Sequence, residues 1–238
     1  MKKILYPENT RGAANFGWLQ AKYSFSFANF FDPNRIQFGQ LRVLNDDVVA
    51  PSMGFGRHPH QNMEIVTIPR SGALRHRDSM GNEGVIESGD IQIMSAGSGV
   101  EHSEVNASAT EPVKLFQIWI MPEAQNVPPR YDQRKIESLI KPNEISTVVR
   151  PKNEASENDL WIHQQAYFNL GNFTEDTQTT YAVKKPGHGV YLLVIEGTAT
   201  IGDDTLERRD AMGIWDTGEI ELKVSAGTEI LMIEVPMN

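Results

Sequence analysis

Short runs in which apolar and polar residues alternate recur along most of the chain, whereas the patterns that favour helices are weak. Residues 37–44, 63–68 and 114–120 alternate or are rich in β-branched side chains, and each run predicts one strand. Residues 84–94 predict two strands joined by a turn. The turn-forming residues Asn45, Asp46 and Asp47 predict a turn after the first strand. Short strands at regular spacing are typical of an antiparallel barrel or sandwich.

Between residues 122 and 159 the alternation stops, and prolines and acidic residues interrupt the chain. Residues 153–159 are typical of a loop, and only residues 135–140 predict a single helical turn. Strand patterns return at residues 190–197, 198–204, 220–224 and 229–235, of which the second predicts a hairpin. We therefore interpret the chain as two β lobes joined by a connector.

Composition and charge exclude several classes of protein. The chain has 238 residues and a formal net charge of −9, and this acidic balance disfavours direct contact with nucleic acid. The absence of cysteine excludes disulfides, thiolate chemistry and Cys-based zinc sites. No stretch approaches the ~20 apolar residues of a membrane span, and residues 1–8 lack the apolar segment of a signal peptide. We expect a cytoplasmic location and no membrane partner.

Two short runs carry potential metal ligands. His58 and His60 stand at positions i and i+2, and so do His102 and Glu104. Side chains two residues apart on a strand share a face, so two facing strands of a small barrel would bring all four groups to one point. Three imidazoles and one carboxylate suit iron, manganese, nickel, copper or zinc, and positions would stay open for water, substrate or dioxygen.

The same runs lie in a longer pattern. Residues 54–60 with Glu64 and Gly72 resemble the first cupin motif, and residues 89–90 and 95–97 with His102 and Asn106 resemble the second. Seven residues separate Glu64 from Gly72 where cupins have six, and Ser95 stands where many cupins have proline. In both departures the sequence resembles the motifs of the pirin family. The stretches 11–33 and 38–47 also resemble that family.

The resemblance implies an all-β bicupin, in which two jelly-roll-like antiparallel barrels pack face to face and the connector holds short helical segments. Residues 1–130 would form the metal-binding barrel, and residues 131–238 the connector and a second barrel without metal ligands. The ligands would be His58, His60, His102 and Glu104. Family members often carry iron(II) and sometimes another divalent metal, so we expect one divalent ion per chain.

Glu64 is the competing carboxylate ligand. Counted along the chain, it has the same strand parity as His58 and His60, and ordinary cupins use this position. The pirin resemblance favours Glu104, and a β-bulge can shift parity. Glu64 would then lie behind the ligands, where a carboxylate can orient a ligand imidazole.

The second lobe is predicted to be a diverged repeat of the first. If Gly72 corresponds to Gly197, His58 corresponds to Val183, His60 to Lys185, and the counterpart of His102 falls near Leu222. None of these three residues is a usual metal ligand in this setting, which again predicts one metal per chain.

Four other candidates are expected to have structural or surface roles. Glu101 is expected to be a solvated carboxylate, and His76 to lie in a surface turn. His163 and His188 belong to the lobe without metal ligands.

Aromatic and basic residues near the amino terminus leave two questions open. Phe25, Phe27, Phe30 and Phe31 are expected to pack in the core, with the wall of a flavonoid pocket as the alternative. Arg11 and Arg42 either neutralise buried carboxylates or bind an anion.

Two functions are compatible with these residues. The first is a metal-dependent dioxygenase of the quercetin 2,3-dioxygenase type. The resemblance implies it, because bacterial members of the pirin family are credited with this activity. Its partners are a flat aromatic flavonol such as quercetin and dioxygen, its product includes carbon monoxide, and Glu104 is the general base. The second is a metal-containing regulatory protein that binds a transcription factor or a metabolic enzyme, as some eukaryotic pirins do. A purely structural metal is disfavoured, because such sites are normally closed.

Overall fold

The chain folds into β-strands and three short 3₁₀ helices, and this computed structural model describes residues 1–238. The strands of the first half are β1 (Lys2–Tyr6), β2 (Gly12–Asn15), β3 (Leu19–Tyr23), β4 (Leu41–Val49), β5 (Gly54–His60), β6 (Glu64–Ser71), β7 (Ala73–Asp78), β8 (Glu83–Glu87), β9 (Asp90–Ser95), β10 (Val100–Asn106), β11 (Val113–Ile120) and β12 (Arg130–Lys135).

The second half has the same character. Its strands are β13 (Ile145–Pro151), β14 (Leu160–Ile162), β15 (Tyr167–Phe173), β16 (Thr177–Ala182), β17 (His188–Glu196), β18 (Ala199–Ile201), β19 (Asp204–Leu206), β20 (Ala211–Trp215), β21 (Glu219–Val224) and β22 (Thr228–Pro236). The 3₁₀ helices span Glu8–Thr10, Glu137–Leu139 and Lys152–Glu154. None of the helices is long and apolar enough to cross a bilayer.

Each lobe consists of a seven-stranded sheet and a four-stranded sheet with matching strand orders. In the first lobe these are β12-β9-β6-β11-β4-β3-β2 and β5-β10-β7-β8. In the second lobe they are β1-β20-β17-β22-β15-β13-β14 and β16-β21-β18-β19. Apart from the parallel pair β13–β14, neighbouring strands are antiparallel. The matching orders confirm the prediction of an all-β fold built from two antiparallel barrels.

The two large sheets pack against each other through a shared core of 27 buried residues. Phe116 and Ile118 of β11 enter this core from the first lobe, and Leu231 and Ile233 of β22 enter it from the second. The interior of the second barrel is filled by 15 more buried apolar residues, whereas the clusters inside the first barrel hold 8 and 4. The first barrel therefore keeps room for a pocket.

The predicted turn at residues 45–47 is wrong, because these residues lie in the middle of β4. Each pairs with β11, as in Asp47 with Leu115, and with β3, as in Asp47 with Ala21. Pairing on both sides satisfies the backbone of residues that otherwise favour turns, so tertiary context overrides the local preference. Asn45 and Asp47 are buried, and Asp46 points to the other face, where it pairs with Arg209.

The connector contains more strand than its prolines suggest. β12 extends the large sheet of the first lobe by pairing with β9, and β13 enters the sheet of the second lobe. The helical turn predicted at residues 135–140 is the 3₁₀ helix Glu137–Leu139. At the other end of the chain, β1 crosses over to pair with β20 of the second lobe. The division at residue 130 stays a prediction.

The amino-terminal aromatic and basic residues take several roles. Phe25 is buried in the core between the lobes, Phe30 packs beside the barrel interior, and Phe31 is 75% exposed, so core packing is wrong for Phe31. Arg11 and Arg42 donate hydrogen bonds to backbone carbonyls, of Arg209 and of Ser26 and Ile36, rather than to carboxylates.

Candidate metal centre

Three of the four predicted ligands converge at the mouth of the first barrel. β5 supplies His58 and His60, and its antiparallel neighbour β10 supplies His102 directly opposite His58. Their ligand nitrogens lie within 4.8 Å of one another, and the ring centroids are 4.4–4.9 Å apart. The alternation of side chains along β5 thus places both of its histidines on the same face of the four-stranded sheet as His102.

Gly54 allows β5 and β10 to approach closely at this point. A Cβ at this position would lie 2.1 Å from the carbonyl oxygen of Glu104 and 2.5 Å from the Cα of Val105. Any larger residue would therefore push β5 away from β10 and separate the imidazoles that the two strands carry.

The hydrogen bonding of His58 determines which of its nitrogens faces the cluster. Nδ1 of His58 lies 2.7 Å from the carbonyl oxygen of Gly56. That oxygen can only accept, so Nδ1 is the donor and Nε2 is the nitrogen left to face the cluster. This arrangement is typical of a metal-ligating histidine whose second nitrogen is held by the backbone.

The electrostatics of the cluster favour neutral imidazoles. Burial, reinforced by the neighbouring histidines, lowers the pKa of His102 to about 2, and burial and His58 lower the pKa of His60 to about 4. His102 is 2% exposed, and neither of its ring nitrogens has a hydrogen-bond partner. A buried imidazole without partners is costly, and a metal ion would satisfy it. The cluster therefore fits one divalent metal.

Glu104 lies in the same pocket but stands apart from the histidine cluster. It is 3% exposed, and Nε2 of Gln117 donates to its carboxylate at 3.1 Å, with the Thr67 hydroxyl 3.4 Å away. Burial raises the pKa of Glu104 to about 7, although both hydrogen bonds oppose the shift. A register shift between His102 and Glu104 changes the pairing with β5. The carboxylate is not among the ligand atoms that lie within 4.8 Å of one another.

Glu64 points to the opposite side of the large sheet. On β6, Ile65 faces the pocket, whereas Val66 and Ile68 enter the core between the lobes on the same side as Glu64. Ser95 donates a hydrogen bond to Glu64 at 2.7 Å, and Arg130 is a nearby cation. The strand parity that links Glu64 to His58 and His60 does not hold, because residues 61–63 lie between β5 and β6 and belong to neither strand. The face that Glu64 occupies is therefore independent of the face of the two histidines.

Burial of Glu64 predicts a specific pH dependence of stability. Burial raises the pKa of Glu64 from 4.5 to about 7, so the folded state holds this proton more tightly than the unfolded state. The resulting stabilisation is complete below about pH 4.5 and is lost as the pH rises through about 7. We expect the metal-free protein to lose about 2–3 kcal/mol more between pH 4.5 and 7.5 than Glu64→Gln loses, measured by urea unfolding. Equal losses would contradict this, and Glu101→Gln, on a half-exposed carboxylate, is the control.

The predicted surface turn at His76 is wrong. His76 lies on β7 opposite Glu104 of β10 and is fully buried. Its ring stacks on Tyr131 at 4.8 Å, and its centroid is 5.2 Å from that of His102. The sequence does carry a signal, because Leu74 and His76 alternate with Arg75 and Arg77 as on a strand with one buried face.

The other minor candidates lie outside this centre. Glu101 is a half-exposed carboxylate paired with Arg57, as expected. His163 packs edge-on against Trp161. His188 lies 3.0 Å from the buried Glu234 of the second lobe.

The histidine cluster opens into a cavity of about 190 Å³. Its walls are largely apolar and include Leu19, Tyr23, Phe27, Phe55, Ile65 and Trp119. Its polar lining consists of Glu104 and Gln117 together with Asn45 and Asp47 of β4. Asn45 and Asp47 are pocket residues that the predicted turn did not reveal, and Phe27 takes the alternative role of a pocket wall rather than the expected role in the core. Burial, and to a lesser extent Asp46 and Glu104, raises the pKa of Asp47 to about 8.

The predicted counterparts in the second lobe hold no such cluster. Leu222 lies in the aliphatic interior of the barrel, Val183 packs against it, and Lys185 pairs with Glu154. The histidines of the first lobe are the one group of this kind in the chain.

Comparison with known proteins extends this picture. A family model described as Pirin matches residues 7–120, and one described as the quercetinase C-terminal cupin domain matches residues 149–235. A quercetin 2,3-dioxygenase of Escherichia coli K12 is 40% identical over 96% of both chains, and a pirin-like protein of Caulobacter vibrioides is 36% identical over 96% of this chain and 97% of its own. The crystal structure of the E. coli bacterial pirin YhhW in complex with nickel(II) matches with a TM-score of 0.91 at 38% identity, covering 99% of both chains.

Two packed cupin barrels, one of which carries a three-histidine pocket, define a metal-site bicupin. The chain belongs to the pirin family, because relatives at this identity span nearly its whole length. The resemblance inferred from the motifs is thereby confirmed, and the predicted class of a quercetin 2,3-dioxygenase-like oxidoreductase agrees with the names of these relatives.

Proposed function

We propose that this protein is a metal-dependent dioxygenase that cleaves a flavonol, such as quercetin, with dioxygen and releases carbon monoxide. The observation that carries the proposal is the convergence of three imidazoles on an apolar pocket. A structural metal would need no adjoining cavity. Relatives named quercetin 2,3-dioxygenase support the choice of substrate.

The proposed ligands of the ion are His58, His60, His102 and Glu104. Iron(II) is the proposed native metal, following the family resemblance, and the nickel(II) complex of a relative supports a site that takes several divalent ions. When bound, such an ion supplies the Lewis-acid and redox chemistry that opening of a flavonol by dioxygen requires. Glu104 lines the same pocket as the histidines, and its carboxylate would move toward them to join the ligand set.

The residues of the chain would orient the substrate and move one proton. Gln117 and Thr67 hold the carboxylate of Glu104 in the pocket, where it can accept the proton of the flavonol 3-hydroxyl as general base. Phe27, Phe55 and Trp119 present apolar faces to a flat ring and exclude water from it.

The size of the pocket adds a constraint on the substrate. A cavity of about 190 Å³ is smaller than the roughly 300–1,000 Å³ that usually enclose a ligand. His58 and His60 are only half-buried, so the pocket is open to solvent on their side. We therefore propose that one part of the flavonol enters the cavity and the rest lies at its mouth.

The test is to load metal-free protein with iron(II), manganese, nickel or copper and to follow quercetin loss, dioxygen uptake and carbon monoxide together. We expect all three signals in a fixed ratio with at least one metal and none with the metal-free control. No turnover with any of the metals would contradict the proposal and favour a regulatory protein without catalysis.

A further inference from the structure

Asn45 and Asp47 place two unpaired polar groups in the wall of the metal pocket. Both lie on the face of β4 that lines the cavity, and they are 4% and 3% exposed. Oδ1 of each is buried without a hydrogen-bond partner, and the Asp47 carboxyl makes no hydrogen bond within the chain. Nearly all buried polar groups in folded proteins are hydrogen-bonded, so two orphaned acceptors on one strand need an explanation.

Glu104, in the same cavity, shows that the pocket can satisfy a carboxylate. The carboxylate of Glu104 receives a hydrogen bond from Gln117 and lies close to the Thr67 hydroxyl. No equivalent donor is provided for Asn45 or Asp47, although Gln117 is the cross-strand partner of Asn45. Among the carboxyl and amide groups that line this pocket, those of the β4 wall are therefore the ones left without a donor.

The second lobe supplies an internal comparison, because β15 takes the place there that β4 has in the first lobe. Asn169 of β15 donates to the hydroxyl of Tyr181 and to the carbonyl of Met232, and it accepts from Thr147. That barrel has a filled interior, and its buried asparagine is fully paired. Of these two corresponding strands, the one that lines a cavity is the one with unpaired polar groups, which favours partners supplied by a molecule in the cavity.

We infer that Asn45 and Asp47 form a second polar subsite, which accepts hydrogen bonds from ring hydroxyl groups of the substrate while the histidine cluster receives the other end. Oδ1 of Asn45 accepts, and the Asp47 carboxyl accepts in either protonation state and donates when it is protonated, so hydroxyl groups, which both donate and accept, fit the two residues. The surrounding walls are apolar and largely aromatic, which favours hydroxyl groups carried on an apolar ring. The chemical class is a polyhydroxylated aromatic compound. Its assignment to flavonols in particular rests on the function proposed above.

Equilibrium binding tests the subsite without turnover. Protein loaded with zinc, which is not redox-active, is titrated under anaerobic conditions with matched pairs of compounds that differ by one ring hydroxyl other than the 3-hydroxyl. One set of pairs consists of flavonols, and the other is catechol with phenol. We expect wild type to bind the more hydroxylated member at least about ten-fold more tightly, because the analogue leaves a buried acceptor unpaired.

Four variants of β4 separate binding from structure. Asp47→Leu removes the acceptor at similar size and should bind both members of a pair within about two-fold, whereas Asp47→Asn keeps an acceptor and should retain the preference. Asp46→Asn, on the opposite face of the same strand, is the matched control and should behave as wild type. Asp47→Leu should also melt about 2 °C or more above wild type, because it removes an unpaired buried carboxyl. Asn45→Leu provides a second test of the same kind.

The outcomes are distinguishable. Equal hydroxyl preference in wild type, Asp47→Leu and Asn45→Leu would overturn the subsite and leave the flavonol function standing. A preference that depends on Asp47 for catechol, with no binding of any flavonol, would support the subsite and overturn the proposed substrate. A melting temperature of Asp47→Leu below that of wild type would show that the carboxyl has a structural partner and would contradict the inference.

Discussion

Replacing His102 with alanine is expected to abolish metal retention and flavonol turnover. The ring of His102 lies 4.4 Å from that of His58 and 4.9 Å from that of His60, measured between centroids, and its two nitrogens have no partner in the chain. Loss of a direct ligand should weaken metal affinity by more than the 10–100-fold that follows loss of a residue supporting a ligand. Elemental analysis of freshly purified protein measures the effect, and His58→Ala should give the same result.

Two controls keep this result interpretable. His163→Ala removes a histidine of the second lobe that packs on Trp161 and lies outside the pocket, so its metal content should equal that of wild type. Circular dichroism and gel filtration of His102→Ala establish that the fold is retained. Tight metal at full occupancy in folded His102→Ala would refute the assignment of this ligand.

Glu104→Gln is expected to spare the fold and to reduce turnover by about 10²–10⁴-fold, the usual contribution of a general base. The glutamine side chain has the same shape and can still accept from Gln117, but it cannot take the proton of a substrate hydroxyl. The measurement is kcat for quercetin, normalised to the metal content of each preparation.

Glu64→Gln is the matched control for this change, because it alters a buried carboxylate on the other face of the sheet. We expect its turnover to stay within about two-fold of wild type. A silent Glu104→Gln together with a damaging Glu64→Gln would show that the carboxylate assignment is wrong.

Part of the histidine cluster could be predicted from sequence because the geometry of that part is local. His58 and His60 share a face by strand alternation alone, and the pairing of β5 with β10 brings in His102. The same reasoning failed for Glu64, because parity holds only within one strand and the residues between β5 and β6 change the sheet.

The polar residues in the pocket wall could not be predicted, because their local preference for a turn conflicts with the strand pairing that they make in the fold. Asn45, Asp46 and Asp47 have the composition of a turn, and only pairing with β3 and β11 keeps them extended. Buried His76 could have been found from the alternation in β7. The crossing of β1 into the second lobe depends on contacts far apart in the sequence, which no local pattern encodes.

The internal repeat was predicted correctly as a repeat, but the predicted residue correspondences are inconsistent with the strand pairing of the second lobe. His58 and His102 are cross-strand partners, so their counterparts should be partners as well. Leu222 pairs instead with Thr179, and the backbone of Val183 bonds to Gly218. The interior of the second barrel is filled by apolar side chains, so its strands do not need the register that the histidine cluster requires in the first lobe.

Anomalous X-ray scattering from crystals of metal-loaded protein tests the central claim most directly. The account predicts one strong peak per chain, about 2.0–2.2 Å from a nitrogen of each of His58, His60 and His102 and from a carboxylate oxygen of Glu104. The account is contradicted if the metal-soaked crystals show the imidazoles apart and no peak between them, or if the peak lies elsewhere in the chain.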